Sequence, residues 1–179
     1  MLERRGRSRD ARPSHLNSAN CMSYQGVDIM LQPKHILVPT DGSDDSVNAA
    51  KFAGELARNF GAKVSVLIVQ DDRLLIPEAW GMAAGTQGSV EEARADFERR
   101  AINEELVPTK DAVGDVDAGV DAQLVWGHAP TEICQFAEAN DVDLIVLGSH
   151  GRSGIKRLLL GSVSNAVANT APCSVTIVR

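Results

Sequence analysis

Two rhythms of apolar and polar positions alternate along the chain. Short, nearly continuous apolar runs recur at Lys34–Val38, Ala62–Val69, Val120–Trp126, Asp141–Leu147 and Ser174–Val178. Their length and branched aliphatic content predict strands buried on both faces. Longer stretches with helical spacing lie between them. Val47, Ala50, Phe52, Ala53, Leu56, Ala57 and Phe60 make one apolar face, with Ser43 as N-cap, acids in the first turn, and Gly61 as the closing glycine. Ser89-Val90-Glu91-Glu92 reads as a capping box that opens a second helix through Ala93, Phe97, Ala101, Ile102 and Leu106, which Pro108 must end or kink. Gly127–Glu132 starts a third, with Ile133, Phe136 and Ala137 facing inward and Asn140 at its end, and a fourth spans about Ser162–Asn169 before Pro172. Asp111–Gly119 is acidic and interrupted by glycine, and takes no assignment. Gln70–Gly88, with Pro77, three glycines, Trp80 and Met82, reads as a lid or a plain surface loop.

Five strands alternating with helices predict an α/β fold, an open five-stranded parallel sheet with helices on both faces. In such sheets ligands lie beyond the carboxyl ends of the strands, where the strand order reverses. If the first and fourth strands are neighbours, Asp41 and Gly148 face one crevice. Residues 1–29, rich in Arg, Ser and Asn, lack a periodic apolar face and read as a disordered extension or as residues upstream of a misplaced start. Residues 30–179 make a single domain.

Composition narrows the function. With 179 residues and 44% hydrophobic side chains the chain can bury one good core. The net charge is −6, and the first thirty residues hold an excess of arginine over acids, so the remainder is more acidic still. Such a surface argues against nucleic-acid binding. No apolar run is long enough to span a membrane. Three separated cysteines, Cys21, Cys134 and Cys173, suggest reduced thiols in the cytoplasm rather than a disulfide framework or a metal cage.

The chemistry gathers after the fourth strand. Gly148-x2-Gly151-x9-Gly161-Ser162 joins a strand to a helix start, where bare N–H groups and the positive dipole end favour an anion. It is neither the Walker loop nor the dinucleotide glycine pattern. Ser149 and His150 stand side by side, but no Gly-x-Ser-x-Gly elbow surrounds them, and His150 reads as a loop residue rather than a base. His128 reads as a helix-start residue. Arg152, Lys156 and Arg157 either pair with phosphate or form a solvated basic loop. Cys134 reads as part of a packed helix face and Cys173 as a small strand residue.

Ile36-Leu37-Val38-Pro39-Thr40-Asp41-Gly42-Ser43, the Gly127-His128 turn, Leu144–Arg152, Leu160–Ser164 and Ala171–Val175 together resemble the universal stress protein family, of the ATP-binding kind, from about Pro33 to Arg179. The resemblance implies a Rossmann-like sheet of the adenine nucleotide alpha hydrolase type and a site for ATP, with or without Mg²⁺. It implies Pro39, Thr40 and Asp41 at the nucleotide, with Asp41 near the ribose or a bound Mg²⁺, and Val69 at the adenine. Leu147 and Gly148 would flank the ribose. Gly151, Arg152, Gly161, Ser162, Val163 and Ser164 would surround the phosphates. No residue is given a catalytic role. The function implied is that of a cytoplasmic stress-response regulator that holds ATP and pairs its last strand with a second copy in a homodimer. Two alternatives stay open: a slow nucleotide-hydrolysing or self-phosphorylating enzyme, and a dimerisation module that binds no nucleotide. Ser174 stands where the family usually has proline or an apolar residue, and Pro108 interrupts a helix that is often continuous.

Overall fold

A computed structural model describes residues 32–71, 73, 90–152 and 160–179. The amino-terminal extension with Cys21, the candidate lid around Trp80 and Met82, the Ser89 cap, and Lys156 and Arg157 lie outside the described residues.

The five strands are β1 (His35–Thr40), β2 (Lys63–Gln70), β3 (Val120–Trp126), β4 (Leu144–Gly148) and β5 (Ser174–Val178). They form one sheet in the order β3-β2-β1-β4-β5, and every pairing is parallel. The chain winds outward from β1 through β2 to β3, then returns to the other side of β1 for β4 and β5. The order therefore reverses between β1 and β4, which pair at Ile36↔Leu144 and Leu37↔Ile145. This is where the glycine-rich connection after β4 meets the turn after β1.

Successive strand residues point to opposite faces, and both faces are covered. Ile36, Val38, Val64, Val66, Ile68 and Val146 pack against α1 (Asp44–Phe60) and against Ala101, Leu106 and Val113. On the other face Leu37, Leu67, Ile145 and Leu147 pack against Ile133 and Ala137 of α4 (Ala129–Ala139) and Val167 of α5 (Ser162–Thr170). Burial of both faces is the reason the strands read as continuous apolar runs.

Three sequence expectations need correction. The buried face of α1 is made by Ala49, Ala50, Ala53, Gly54 and Ala57, while Phe52 and Phe60 are 41% and 42% exposed. Small residues win because α1 lies close to its neighbours: a Cβ at Gly54 would run into the Val113 carbonyl. The helix before Pro108 does not stop. It runs from α2 (Val90–Arg100) through a π-helical segment (Ala101–Leu106) into α3 (Val107–Val113). Within the π turn the Val107 N–H reaches back five residues to the Ile102 carbonyl, a local widening that admits Pro108 in the first turn of α3. The unassigned stretch from Asp111 therefore begins as helix. Cys173 sits in the bend just before β5 rather than in the strand.

Candidate functional site

Local sequence builds each wall of the crevice at the β1/β4 switch. The β1 ladder with β2 stops at Thr40↔Ile68, so the chain leaves the sheet at Asp41 while β2 runs on to Gln70. Gly42, at φ 75°, turns the backbone. Asp41 Oδ1 accepts from the Ser43 N–H at 3.1 Å, and Ser43 caps α1 by accepting from the Ser46 N–H at 3.3 Å. Across the switch, Ser164 Oγ donates to the Gly148 carbonyl at 2.8 Å and ties the start of α5 to the end of β4. The Gly161 N–H donates to the Ser149 carbonyl at 2.9 Å and draws the far end of the glycine segment back to its beginning.

The crevice measures about 280 Å³, near the lower end of the roughly 300–1,000 Å³ common for small-molecule pockets. All twelve candidate binding residues line it: Pro39, Thr40, Asp41, Val69, Leu147, Gly148, Gly151, Arg152, Gly161, Ser162, Val163 and Ser164. Ser46, Leu67, Ala129, Ile133 and His150 line it too. Leu67, Val69, Ala129, Ile133 and Leu147 make an apolar end, and the polar end gathers at the glycine segment.

Among the described residues, no side chain caps the first donors at that polar end. Gly161 is the N-cap of α5 and offers no side-chain cap. The first intrahelical bond runs from Asn165 N–H to the Gly161 carbonyl, so the N–H groups of Ser162, Val163 and Ser164 precede the helix ladder. The three motif glycines have different causes. A Cβ at Gly148 would stand 2.7 Å from the Asp45 carbonyl carbon and 2.8 Å from the Ser46 nitrogen, and one at Gly151 would strike the Asp41 carboxylate. Those two are demanded by the chain's own packing. At Gly161 the nearest atom would be 3.4 Å away and φ is −56°, so the fold would admit a side chain there.

Charges surround this end without filling it. The Arg152 N–H donates to Asp41 Oδ2 at 3.0 Å and its Nε to the Asp41 carbonyl at 2.6 Å. Its guanidinium also pairs with Glu105 Oε2. Glu105 comes from the π-helical segment, and its side chain is only 15% exposed. Burial pushes its carboxyl above the usual range, against the pull of Arg152. Asp45, in the first turn of α1, accepts from Ser149 Oγ at 2.9 Å and from the His150 N–H at 3.0 Å. Desolvation raises this carboxyl, but the bonds from Ser149 and His150 together outweigh it and hold Asp45 below its ordinary value. Thr40 is buried and its hydroxyl touches Ser46 Oγ at 3.0 Å and Thr109 Oγ1 at 2.9 Å, fixing the strand end from which Asp41 departs.

Other marked residues fall elsewhere. His128 is the N-cap of α4, its Nδ1 3.0 Å from Thr131 Oγ1. Cys134 packs among α4 and α5 side chains, with Sγ 3.4 Å from Thr170 Oγ1. Burial pushes the Cys173 thiol up, away from reactivity. Sequence reasoning missed Glu105 and Asp45 as partners of the crevice, since nothing local to either residue marks the contact.

The family model described as the universal stress protein family matches residues 33–179. A universal stress protein of Methanocaldococcus jannaschii is 35% identical over 146 residues, 82% of each chain. The solved structure of the universal stress protein UspA from Lactobacillus plantarum superposes with a TM-score of 0.63 at 26% identity, covering 83% of this chain and 99% of that one. A universal stress protein solved in complex with cAMP superposes at 0.53 with 26% identity, covering 83% and 98%.

Proposed function

The chain belongs to the universal stress protein family, and from that premise we propose that its crevice holds ATP as the signal-bearing ligand of a regulatory protein. The observation that carries this is the joint placement at one switch point of an apolar end and three uncapped N–H groups beside a glycine whose side-chain space the fold leaves open. The first suits a base, and the second suits phosphate. The related structure solved with cAMP supports an adenine ligand. Val69 lies past the end of β1, where a base edge can meet backbone. Leu147 and Gly148 flank the ribose, and Gly151, Arg152, Gly161, Ser162, Val163 and Ser164 surround the phosphates. Pro39 and Thr40 shape the wall beside Asp41.

Asp41 fits a ribose hydroxyl or Mg²⁺, because each of its oxygens accepts one backbone N–H and retains acceptor capacity. Among the described residues no group of three metal-ligating side chains exists, so Mg²⁺ would arrive with the phosphates that complete its oxygen shell. We assign ligand holding rather than rapid turnover. β5 is an edge strand, and its pairing with a second copy would cover an exposed ladder. Among the described residues the free Cys134 and Cys173 support a cytoplasmic location.

Native mass spectrometry of the purified full chain tests the assignment, with calorimetric titration of ATP against AMP and cAMP. Retained or tightly binding adenine nucleotide supports it. A protein that binds none of the three is a dimerisation module instead. Sedimentation showing monomer alone at micromolar concentration removes the homodimer.

A further inference from the structure

Glu105 is not one of the crevice-lining residues, yet it is held firmly beside them. It belongs to the π-helical segment Ala101–Leu106, a local widening that proteins place mostly at functional sites. Its side chain lies against the turn after β1: a Cβ at Gly42 would stand 2.9 Å from Glu105 Cγ and 3.0 Å from Glu105 Cβ. Glu105 Oε2 is buried and aligned for no hydrogen bond, so among the described residues its polar contact is the ion pair with the Arg152 guanidinium. Arg152 is differently placed. It lines the crevice, its side chain is 59% exposed, and its Nε donates to the Asp41 carbonyl.

Taking the crevice as a phosphate site, on which this inference rests, we propose that Glu105 restrains phosphate binding by competing with the ligand for the Arg152 guanidinium. Glu105 is thus a specificity-determining residue that acts through Arg152 and does not touch the ligand. The competition favours Glu105. A buried carboxylate that loses its only cation is strongly disfavoured, whereas a phosphate in an open crevice keeps part of its water. Arg152 leaves Glu105 only for a ligand whose charge outweighs that cost, so a polyphosphate meets an arginine that is already neutralised.

The charged groups around this corner give the restraint its weight. Among the described lining residues Arg152 is the one lysine or arginine, so neutralising it removes the fixed side-chain cation from the site. Burial pushes the Glu105 carboxyl up while Arg152 pulls against it, which is the behaviour of an acid that depends on its partner. Asp45 does not compete for Arg152, since it accepts from Ser149 Oγ and the His150 N–H. Asp41 Oδ2 accepts the Arg152 backbone N–H at 3.0 Å and anchors the base of that side chain, so the guanidinium can change partner while the backbone stays in place.

The test is calorimetric titration of the full chain with ATP and with adenosine, comparing wild type with Glu105→Gln and Glu105→Met. Gln keeps the shape and loses the charge, and Met is an apolar side chain of similar length that suits a buried position. Each variant should bind ATP roughly tenfold more tightly, as expected for one charged hydrogen bond gained by the phosphate. Adenosine, which carries no phosphate, should bind the variants as it binds wild type. In an Arg152→Gln background Glu105→Gln should change ATP affinity by less than about twofold, because no guanidinium is there to release. Unchanged or weaker ATP binding in both variants, with adenosine binding retained, overturns the inference and leaves the nucleotide site standing. An equal gain with and without Arg152 also overturns it, since Glu105 would then act on the phosphate by its own charge. Absence of ATP binding in wild type and both variants overturns the nucleotide site and this inference with it.

Discussion

The two ends of the parallel sheet treat a buried histidine in opposite ways. At the amino-terminal end His35 is 3% exposed. Its Nδ1 donates to the Asn140 carbonyl at 2.9 Å, and its Nε2 accepts from Ser65 Oγ at 2.8 Å. Asp143 closes that end by accepting the Lys34 and His35 N–H groups. Both ring nitrogens of His35 are paired. At the carboxyl end the chain supplies partners for Nδ1 of His150 and none for Nε2, and the first N–H groups of α5 carry no side-chain cap. Residue type does not decide whether a buried histidine has both ring nitrogens paired. The number of partners the fold supplies does.

The comparison breaks most sharply at Gly161. Gly161→Asp places a carboxylate at an N-cap whose backbone already has extended geometry. It should cap α5 and raise stability by about 0.5–1 kcal/mol, yet weaken ATP binding by roughly 100-fold or more through repulsion and loss of the N–H groups. Urea unfolding and calorimetric titration read the two effects separately. If affinity and stability fall together, Gly161 serves the fold and the crevice end is not held open for a ligand.

Gly148→Ala asks the converse question at the same end. Its Cβ would press on the backbone of Asp45 and Ser46 at 2.7 and 2.8 Å, so a loss of about 1–3 kcal/mol is expected from overpacking. A urea midpoint equal to that of wild type would show that α1 can retreat from β4 without cost.

Ser65→Ala turns His35 into a counterpart of His150 by removing the partner of its Nε2. The expected cost is about 1–2 kcal/mol for a buried nitrogen left unpaired. A neutral result would mean that the amino-terminal end is not as closed as its hydrogen bonds suggest.

The smallest effect is a pH dependence. Burial lowers the His35 pKa below its ordinary 6.5, so the fold favours the neutral ring. The stability that follows is fully present above pH 6.5 and is lost as pH falls from there through the lowered folded value. Unfolding free energies measured between pH 8 and pH 5 should show this decline, and His35→Gln should flatten it. A decline of equal size in the variant would assign the acid sensitivity to other groups.

Much of the fold could be read directly along the chain. Val120–Trp126 and Ser174–Val178 are strands with the expected boundaries, because a strand buried on both faces writes its burial into every residue. The Ser43 cap and the Gly61 terminus of α1 are local devices and equally legible. The twelve candidate residues were marked by glycine spacing and family pattern, and the structure brings them to one crevice.

Other features depend on partners distant in sequence. Helical periodicity counts apolar positions without measuring how near the next element lies, so Phe52 and Phe60 looked inward while alanines and Gly54 took the contact with α3. Pro108 implies an end or a kink, and the chain passes it through a π-helical segment without ending the helix. Glu105 reaches Arg152 from 47 positions away in a different element, and Asp45 meets Ser149 across 104. The chain by itself determined which segments are strands and helices, since those follow from local pattern and caps. Only the tertiary structure decided which polar groups end up paired and which stay open, because hydrogen-bond satisfaction is a property of neighbours in space.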